Sequence, residues 1–96
     1  MKMPPKKPEK IYKDVIMILD SKRNDKGEPV PFAIWEIADI SKHSRSQIAR
    51  VLNHLIHLGF VFKLKTGFAS RIYKITKNWV SVDHVIKQYE LYKSIV

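Results

Sequence analysis

From Ser44 to Thr76 the chain reads as a capped amphipathic helix, a glycine stop and two short strands around a small loop. Ser44 and Gln47 are spaced as a capping box: the hydroxyl takes the Gln47 amide, and the Gln47 side chain reaches back. Ile48, Val51, Leu52, Leu55, Ile56 and Leu58 follow at 3-4-7 spacing, which predicts a helix over 44–58 with one apolar face. Gly59 supplies a left-handed C-terminal stop. Phe60 to Lys65 alternates, with Phe60, Phe62 and Leu64 on one side and Val61, Lys63 and Lys65 on the other. Thr66 to Ser70 forms the turn, where Gly67 is free to take a positive φ. Arg71 to Thr76 alternates again, Ile72 and Lys74 on one face and Tyr73 and Ile75 on the other.

The flanking segments are simpler. Residues 1–10 hold three prolines and four lysines and are expected to be a flexible basic arm, either a phosphate-contacting tail or an ordinary frayed end. Ile11, Val15, Ile18 and Leu19 predict a first helix over 11–21. Residues 21–31 are punctuated by Asn24, Asp25, Gly27, Pro29 and Pro31 and read as a loop. Phe32 either starts a very short strand or staples the next helix. A second helix over 33–40 turns Ile34, Ile37, Ala38 and Ile40 inward, and Trp35 is expected in the core rather than at an interface. After a turn at 41–43 comes the capped helix, and after the hairpin a last helix over 82–95, with Ser81 as its N-cap. The domain is therefore residues 11–96, a single unit, as a chain of 96 residues with ordinary apolar content suggests.

Charge separates the segments. The net charge is +9, but its placement matters more than its size. Residues 1–39 hold eight basic and seven acidic groups; residues 40–82 hold eight basic groups and no acid; residues 83–96 hold two of each. The acid-free stretch carries Lys42, Arg45, Arg50, Lys63, Lys65, Arg71, Lys74 and Lys77 across one helix and one hairpin. Such a stretch favours a polyanion over a merely solvated surface.

Other chemistries find little support. No cysteine is present, so a disulfide scaffold and a cysteine-based zinc site are excluded. His54 and His57 are three apart on one helix, yet no nearby acid completes a metal set, and neither metal nor cofactor is expected. No nucleophile, base and orienting acid cluster, and no glycine-rich phosphate loop appears, so no catalytic residue is assigned. The apolar runs are too short to cross a bilayer, and no secretory signal opens the chain; a cytoplasmic, DNA-associated location is expected.

The order helix, helix, turn, helix, hairpin, helix resembles the winged helix-turn-helix family. The resemblance lies in AIWEIADISKHSRSQIARVLNHLIHLGFVFKLKTGFASRIYKIT, residues 33–76. Glu36-Ile37-Ala38 matches the family's second-helix run, and Ser44-Arg45-Ser46-Gln47 its Ser-rich start to the recognition helix. Leu52, Leu55, Gly59, Phe60 and Val61 look like its L-x-x-L-x-x-x-G-h-V run, and Tyr73-Lys74-Ile75-Thr76 like the close of its wing. The pattern is most similar to MarR-like and ArsR-like regulators and to small archaeal, plasmid or viral winged-helix proteins. It implies an α+β, mostly α fold: a three-helix core, a two-stranded wing and a C-terminal helix. It departs from full-length MarR-like chains in having one helix after the wing.

What the resemblance implies for function is a transcriptional regulator, a repressor above all, that binds double-stranded DNA as a homodimer. The recognition helix offers Ser44, Arg45, Ser46, Gln47, Ala49, Arg50, Asn53 and His54. Arginine suits guanine O6 and N7, glutamine suits adenine N6 and N7, and each good pair gives roughly 1–3 kcal/mol of discrimination. Surface pairing of Arg45 or Arg50 with Glu36 or Asp39 is the bland alternative. The wing offers Lys63, Lys65, Thr66, Ser70 and Arg71 to the minor groove or flanking phosphates. Phe68 at its tip folds back, wedges at a base step or meets a partner. Val85, Ile86, Tyr89, Tyr92 and Ile95 form a stripe whose one side can pack on the first helix and which is wide enough to join two copies as well, setting two recognition helices about 34–36 Å apart; the alternative is that the stripe is only the core of a monomer. The competing readings are an origin-binding or architectural DNA protein of low specificity, a protein-interaction winged helix, and an RNA binder. No small-molecule effector is read from the sequence.

Overall fold

In the computed structural model, which describes residues 9–64 and 71–95, four helices and three short strands follow in the order α1 (Glu9–Ser21), β1 (Phe32–Ala33), α2 (Ile34–Ser41), α3 (Arg45–His57), β2 (Val61–Leu64), β3 (Ile72–Ile75) and α4 (Val82–Ile95). Lys65, expected to end the first wing strand, the expected turn Thr66 to Ser70 with Phe68 at its tip, and residues 1–8 lie outside the described residues. α1 begins at Glu9, two residues before the predicted start and directly after Pro8.

α1 buries Ile11, Val15, Ile18 and Leu19, as their spacing predicts, and also Tyr12 and Ile16. Two buried flanks reflect three neighbours, since α1 packs on α2, α3 and α4. The loop after it is fastened by Asn24, whose side-chain oxygen accepts the amides of Lys26 and Glu28 at 2.9 Å each, while Gly27 takes φ +78°.

Phe32 does start a strand. β1 pairs with β3 in register Phe32 to Tyr73, and the sheet order β1-β3-β2 makes three strands where the sequence suggests two. β1 runs directly into α2, whose Glu36 carboxylate accepts the Ala33 amide at 3.0 Å. Ile34 and Ile37 enter the core. Ile40 and Trp35 do not: they are 58% and 56% exposed, against the inward placement expected of both. An eight-residue helix offers one narrow stripe, and Ile34, Ile37 and the half-buried Ala38 fill it.

Lys42 ends α2 in the left-handed region at φ 63°, its amide bonded to the Ala38 carbonyl. Ser44 then caps α3: its hydroxyl accepts the Gln47 amide at 3.3 Å, and the Gln47 Oε1 accepts the Ser44 amide at 3.3 Å. Gly59 (φ +85°) closes the helix, with Gly59 N–H donating to Ile56 and Phe60 N–H to Leu55. This paired closure satisfies carbonyls the helix end leaves open. It also aims the chain straight into β2.

In the hairpin, Val61 pairs with Ile75 and Lys63 with Tyr73. Val61, Tyr73 and Ile75 are buried, so the inward face is the Val61–Lys63 side, and Phe62 and Leu64 lie on the outer face with Ile72 and Lys74. Trp79, between the wing and α4, is buried and donates its ring N–H to Asp20 at 2.9 Å, tying that crossing to α1. Among the described residues no helix is long and apolar enough to cross a membrane.

Candidate nucleic-acid interface

α3 is packed through Ile48, Val51, Leu52 and Leu55 and exposes Ser44, Arg45, Ser46, Gln47, Arg50 and Asn53. The helix is thus held by one side and offers the other. Ala49 is half-buried and leans on the core, so it bounds this surface rather than leading it. The cap that satisfies the first amides of α3 also fixes the angle at which the leading turn emerges. The helix dipole adds a partial positive charge there.

Among the described residues no ion pair neutralises the positive groups of this face. Among the described residues, ion pairs join Arg23 to Asp20, Lys42 to Asp39 and His43 to Asp14. Arg45, Arg50, Lys63, Arg71, Lys74 and Lys77 take part in none. The bland alternative, pairing of Arg45 or Arg50 with Glu36 or Asp39, is not realised: Glu36 turns to its own helix start, and Asp39 faces Lys42. That last pair, 3.9 Å apart with both side chains nearly four-fifths exposed, contributes little.

His54 departs from its expected place on the reading face. It is half-buried, and its Nδ1 lies 2.9 Å from the Tyr89 hydroxyl in a hydrogen bond to α4. Burial, then Lys93, Arg50 and His57, hold its pKa below the ordinary histidine value. His43, unassigned in the sequence, is a second anchor. Its ring is 6% exposed, and its Nε2 sits 2.7 Å from Asp14 on α1, fixing the turn just before the Ser44 cap.

At the wing, Lys63 on β2 and Arg71 just before β3 are exposed, while Lys65, Thr66 and Ser70 lie outside the described residues. β3 is pinned at that end by β1, where the Ile34 amide bonds the Arg71 carbonyl at 2.9 Å.

The stripe on α4 requires correction. Val85 and Tyr89 are not a free face; they are 0% and 4% exposed and belong to the core. Tyr89 stacks on Tyr12 at 4.6 Å with the rings 13° from parallel, and burial pushes its hydroxyl pKa up. Ile86 and Tyr92 are half-buried, and Tyr92 meets the rings of His54 and His57. Only Ile95, at 84%, is open, with Leu91 beside it at 54%. A stripe of this width reads as two-sided in sequence because α1 and α3 both meet it.

No family model matches the sequence, and no curated protein is similar to it in sequence. Solved structures do share its fold. TubR bound to 24 bp of tubC, from Bacillus thuringiensis serovar israelensis pBtoxis, superposes with a TM-score of 0.61 at 20% identity, over 82% of this chain and 81% of that one. A type III plasmid segregation TubR matches with a TM-score of 0.57 at 18% identity, covering 92% of each chain. A TubR mutant matches with 0.57 at 17%, over 94% of this chain and 99% of the other. The fold is the winged helix, α+β and mostly helical. These neighbours fall in the plasmid part of the resemblance, not in its MarR-like or ArsR-like part.

Proposed function

We propose that the chain is a double-stranded DNA-binding protein, not an enzyme, that reads the major groove with α3 and holds flanking DNA with its wing. The observation that supports this most directly is the exposed face of α3: Arg45 and Arg50 project from a capped, rigidly packed helix, no acid pairs with them among the described residues, and Gln47, whose Oε1 turns back to the Ser44 cap, reads a base only by leaving it. Arg45, Gln47, Arg50 and Asn53 are the base-reading groups, with Ser44 and Ser46 at the phosphates; Lys63 and Arg71, with Lys65, Thr66 and Ser70, serve the wing. Binding of this kind regulates transcription by occupying a site, and repression is the simplest outcome. The protein works inside the cell, at its DNA.

The fold shared with plasmid-segregation proteins, one of them bound to 24 bp of DNA, favours a second role for the same surface: marking a DNA site for segregation. Both roles are served by a homodimer. The groups left to join two copies are Leu91 and Ile95, with Tyr92 and Ile86 at the margin, not Val85 and Tyr89.

The deciding experiment is a salt titration of binding to random duplex, run beside selection of preferred sites from a random pool. Expected is a steep salt dependence and one enriched motif. Alanine at Lys63 and at Arg71 should each lower the salt slope by about 0.9. Affinity that does not change with salt would refute DNA binding; steep salt dependence without a motif would leave an architectural role.

A further inference from the structure

Among the described residues a positive φ is held by Gly27 at +78°, Gly59 at +85° and Lys42 at 63°. Gly59 closes α3 and Lys42 closes α2, so the same backbone need is met by glycine at one helix end and by lysine at the other. Glycine takes the left-handed region freely, whereas a Cβ there crowds the following carbonyl oxygen and strains the chain. The stop itself needs no lysine, because the bond that closes α2 runs from the Lys42 amide to the Ala38 carbonyl. The side chain is 78% exposed, and its pair with the equally exposed Asp39 carboxylate, at 3.9 Å, contributes little. Among the described residues Lys42 enters no other ion pair. The fold alone would be served as well or better by glycine at this position.

What distinguishes the position is its place. Lys42 stands two residues before Ser44, the N-cap of α3, and three before Arg45. The turn is anchored next door, where the buried His43 ring meets Asp14 of α1 at 2.7 Å. A held backbone thus carries a long stem and a compact charge into the start of the reading helix. An ammonium donates in several directions and suits a phosphate; a base edge favours the planar fork of arginine.

We propose that Lys42 is a phosphate anchor at the entry to α3: on duplex DNA its ammonium leaves Asp39 for a backbone phosphate and fixes where the leading turn meets the groove. This rests on the DNA-binding reading above. Phosphate contacts set position and carry no sequence information, so Lys42 contributes alike on every duplex.

The test measures urea unfolding and duplex binding for the full chain and for Lys42→Gly, Lys42→Asn and Lys42→Arg. Glycine relieves the left-handed strain, and asparagine tolerates that region better than most side chains. The urea midpoint of Lys42→Gly should equal or exceed that of the wild type, while its duplex affinity falls roughly fivefold at physiological salt and its salt slope drops by about 0.9. Lys42→Asn removes the charge without freeing the turn and should lose as much, on random duplex as on the preferred site. Lys42→Arg should recover most of that loss. A midpoint lowered by Lys42→Gly would mean that the lysine serves the fold, and overturns the proposal. A loss in Lys42→Gly that Lys42→Asn does not share comes from backbone freedom and overturns it as well, as does a loss confined to the preferred site. A chain that never binds duplex defeats the DNA-binding reading and the anchor with it; a chain that binds duplex but is indifferent to Lys42 defeats the anchor alone.

Discussion

α3 and α4 start from the same kind of sequence and end in different trades. They are 13 and 14 residues long, and each is capped by a serine hydroxyl that accepts an amide three residues on. Each carries an apolar stripe at helical spacing. In α3 the stripe is buried, and the side left outside holds Arg45, Gln47 and Arg50 without an acid. In α4 the buried groups are Val85 and Tyr89, and the outside alternates in sign through Asp83, Lys87, Glu90 and Lys93. Amphipathicity alone does not tell these helices apart. The charge remaining on the exposed side does, because a surface of mixed sign attracts a polyanion weakly at physiological salt.

The sharpest way to break the comparison acts inside α4. Tyr89→Asp puts a carboxylate among Tyr12, His54 and the core. The lost ring and the unpaired charge together should cost more than about 4 kcal/mol and abolish the urea transition at room temperature. Ile95→Asp, at a position 84% exposed, should move stability by no more than about 0.5 kcal/mol. Equal effects would mean that the α4 stripe is not core. If Leu91 and Ile95 join two copies, Leu91→Asp with Ile95→Asp should give a folded monomer in sedimentation equilibrium; an unchanged mass would refute that interface.

Much of this contrast is visible in the sequence. The Ser44–Gln47 box, the Gly59 stop and the alternation of Arg71–Thr76 are local signals, each with one physical cause, and the structure carries all three. The errors concern neighbours that local spacing does not reveal. Trp35 and Ile40 read as core by hydrophobicity, but α2 is too short to bury more than one stripe. Tyr89 reads as an interface residue because nothing local announces that Tyr12, 77 positions earlier in number, will stack on it. His43 and Trp79 pass unnoticed for the same reason, since their partners Asp14 and Asp20 lie on α1. The outer placement of Phe62 follows from the register with β3, which an alternating pattern leaves open by one residue.

Substitutions on the exposed side of α3 sharpen the comparison at the next level. Arg50→Ala should lower affinity for the preferred duplex by roughly 1–3 kcal/mol, lower it less on random duplex, and leave the urea midpoint unchanged. Lys87→Ala on α4 removes the same charge and should leave duplex affinity within a factor of about two. Equal losses from the two would show that total charge, not its placement on α3, governs binding. Ser44→Ala tests the frame rather than the surface. Loss of the cap should cost about 1 kcal/mol in stability, and binding should fall with it if the leading turn of α3 frays.

The smallest effect joins the two helices through His54. Its imidazole bonds Tyr89 on one side and faces Lys93, Arg50 and His57 in the surrounding field, with Tyr92 against its ring. Its folded pKa lies below the value in the unfolded chain, so between the two the unfolded state binds more protons. The contribution of His54 is therefore complete above about pH 6.5 and declines as pH falls through the lowered folded value. His54→Asn removes this titration without touching His43, His57 or His84. The wild-type minus variant difference in urea midpoint should thus shrink between pH 7.5 and pH 5. A difference that is constant over that range would mean that protonation does not disturb the contact, and that α3 and α4 are held together by the tyrosine stack and the core alone.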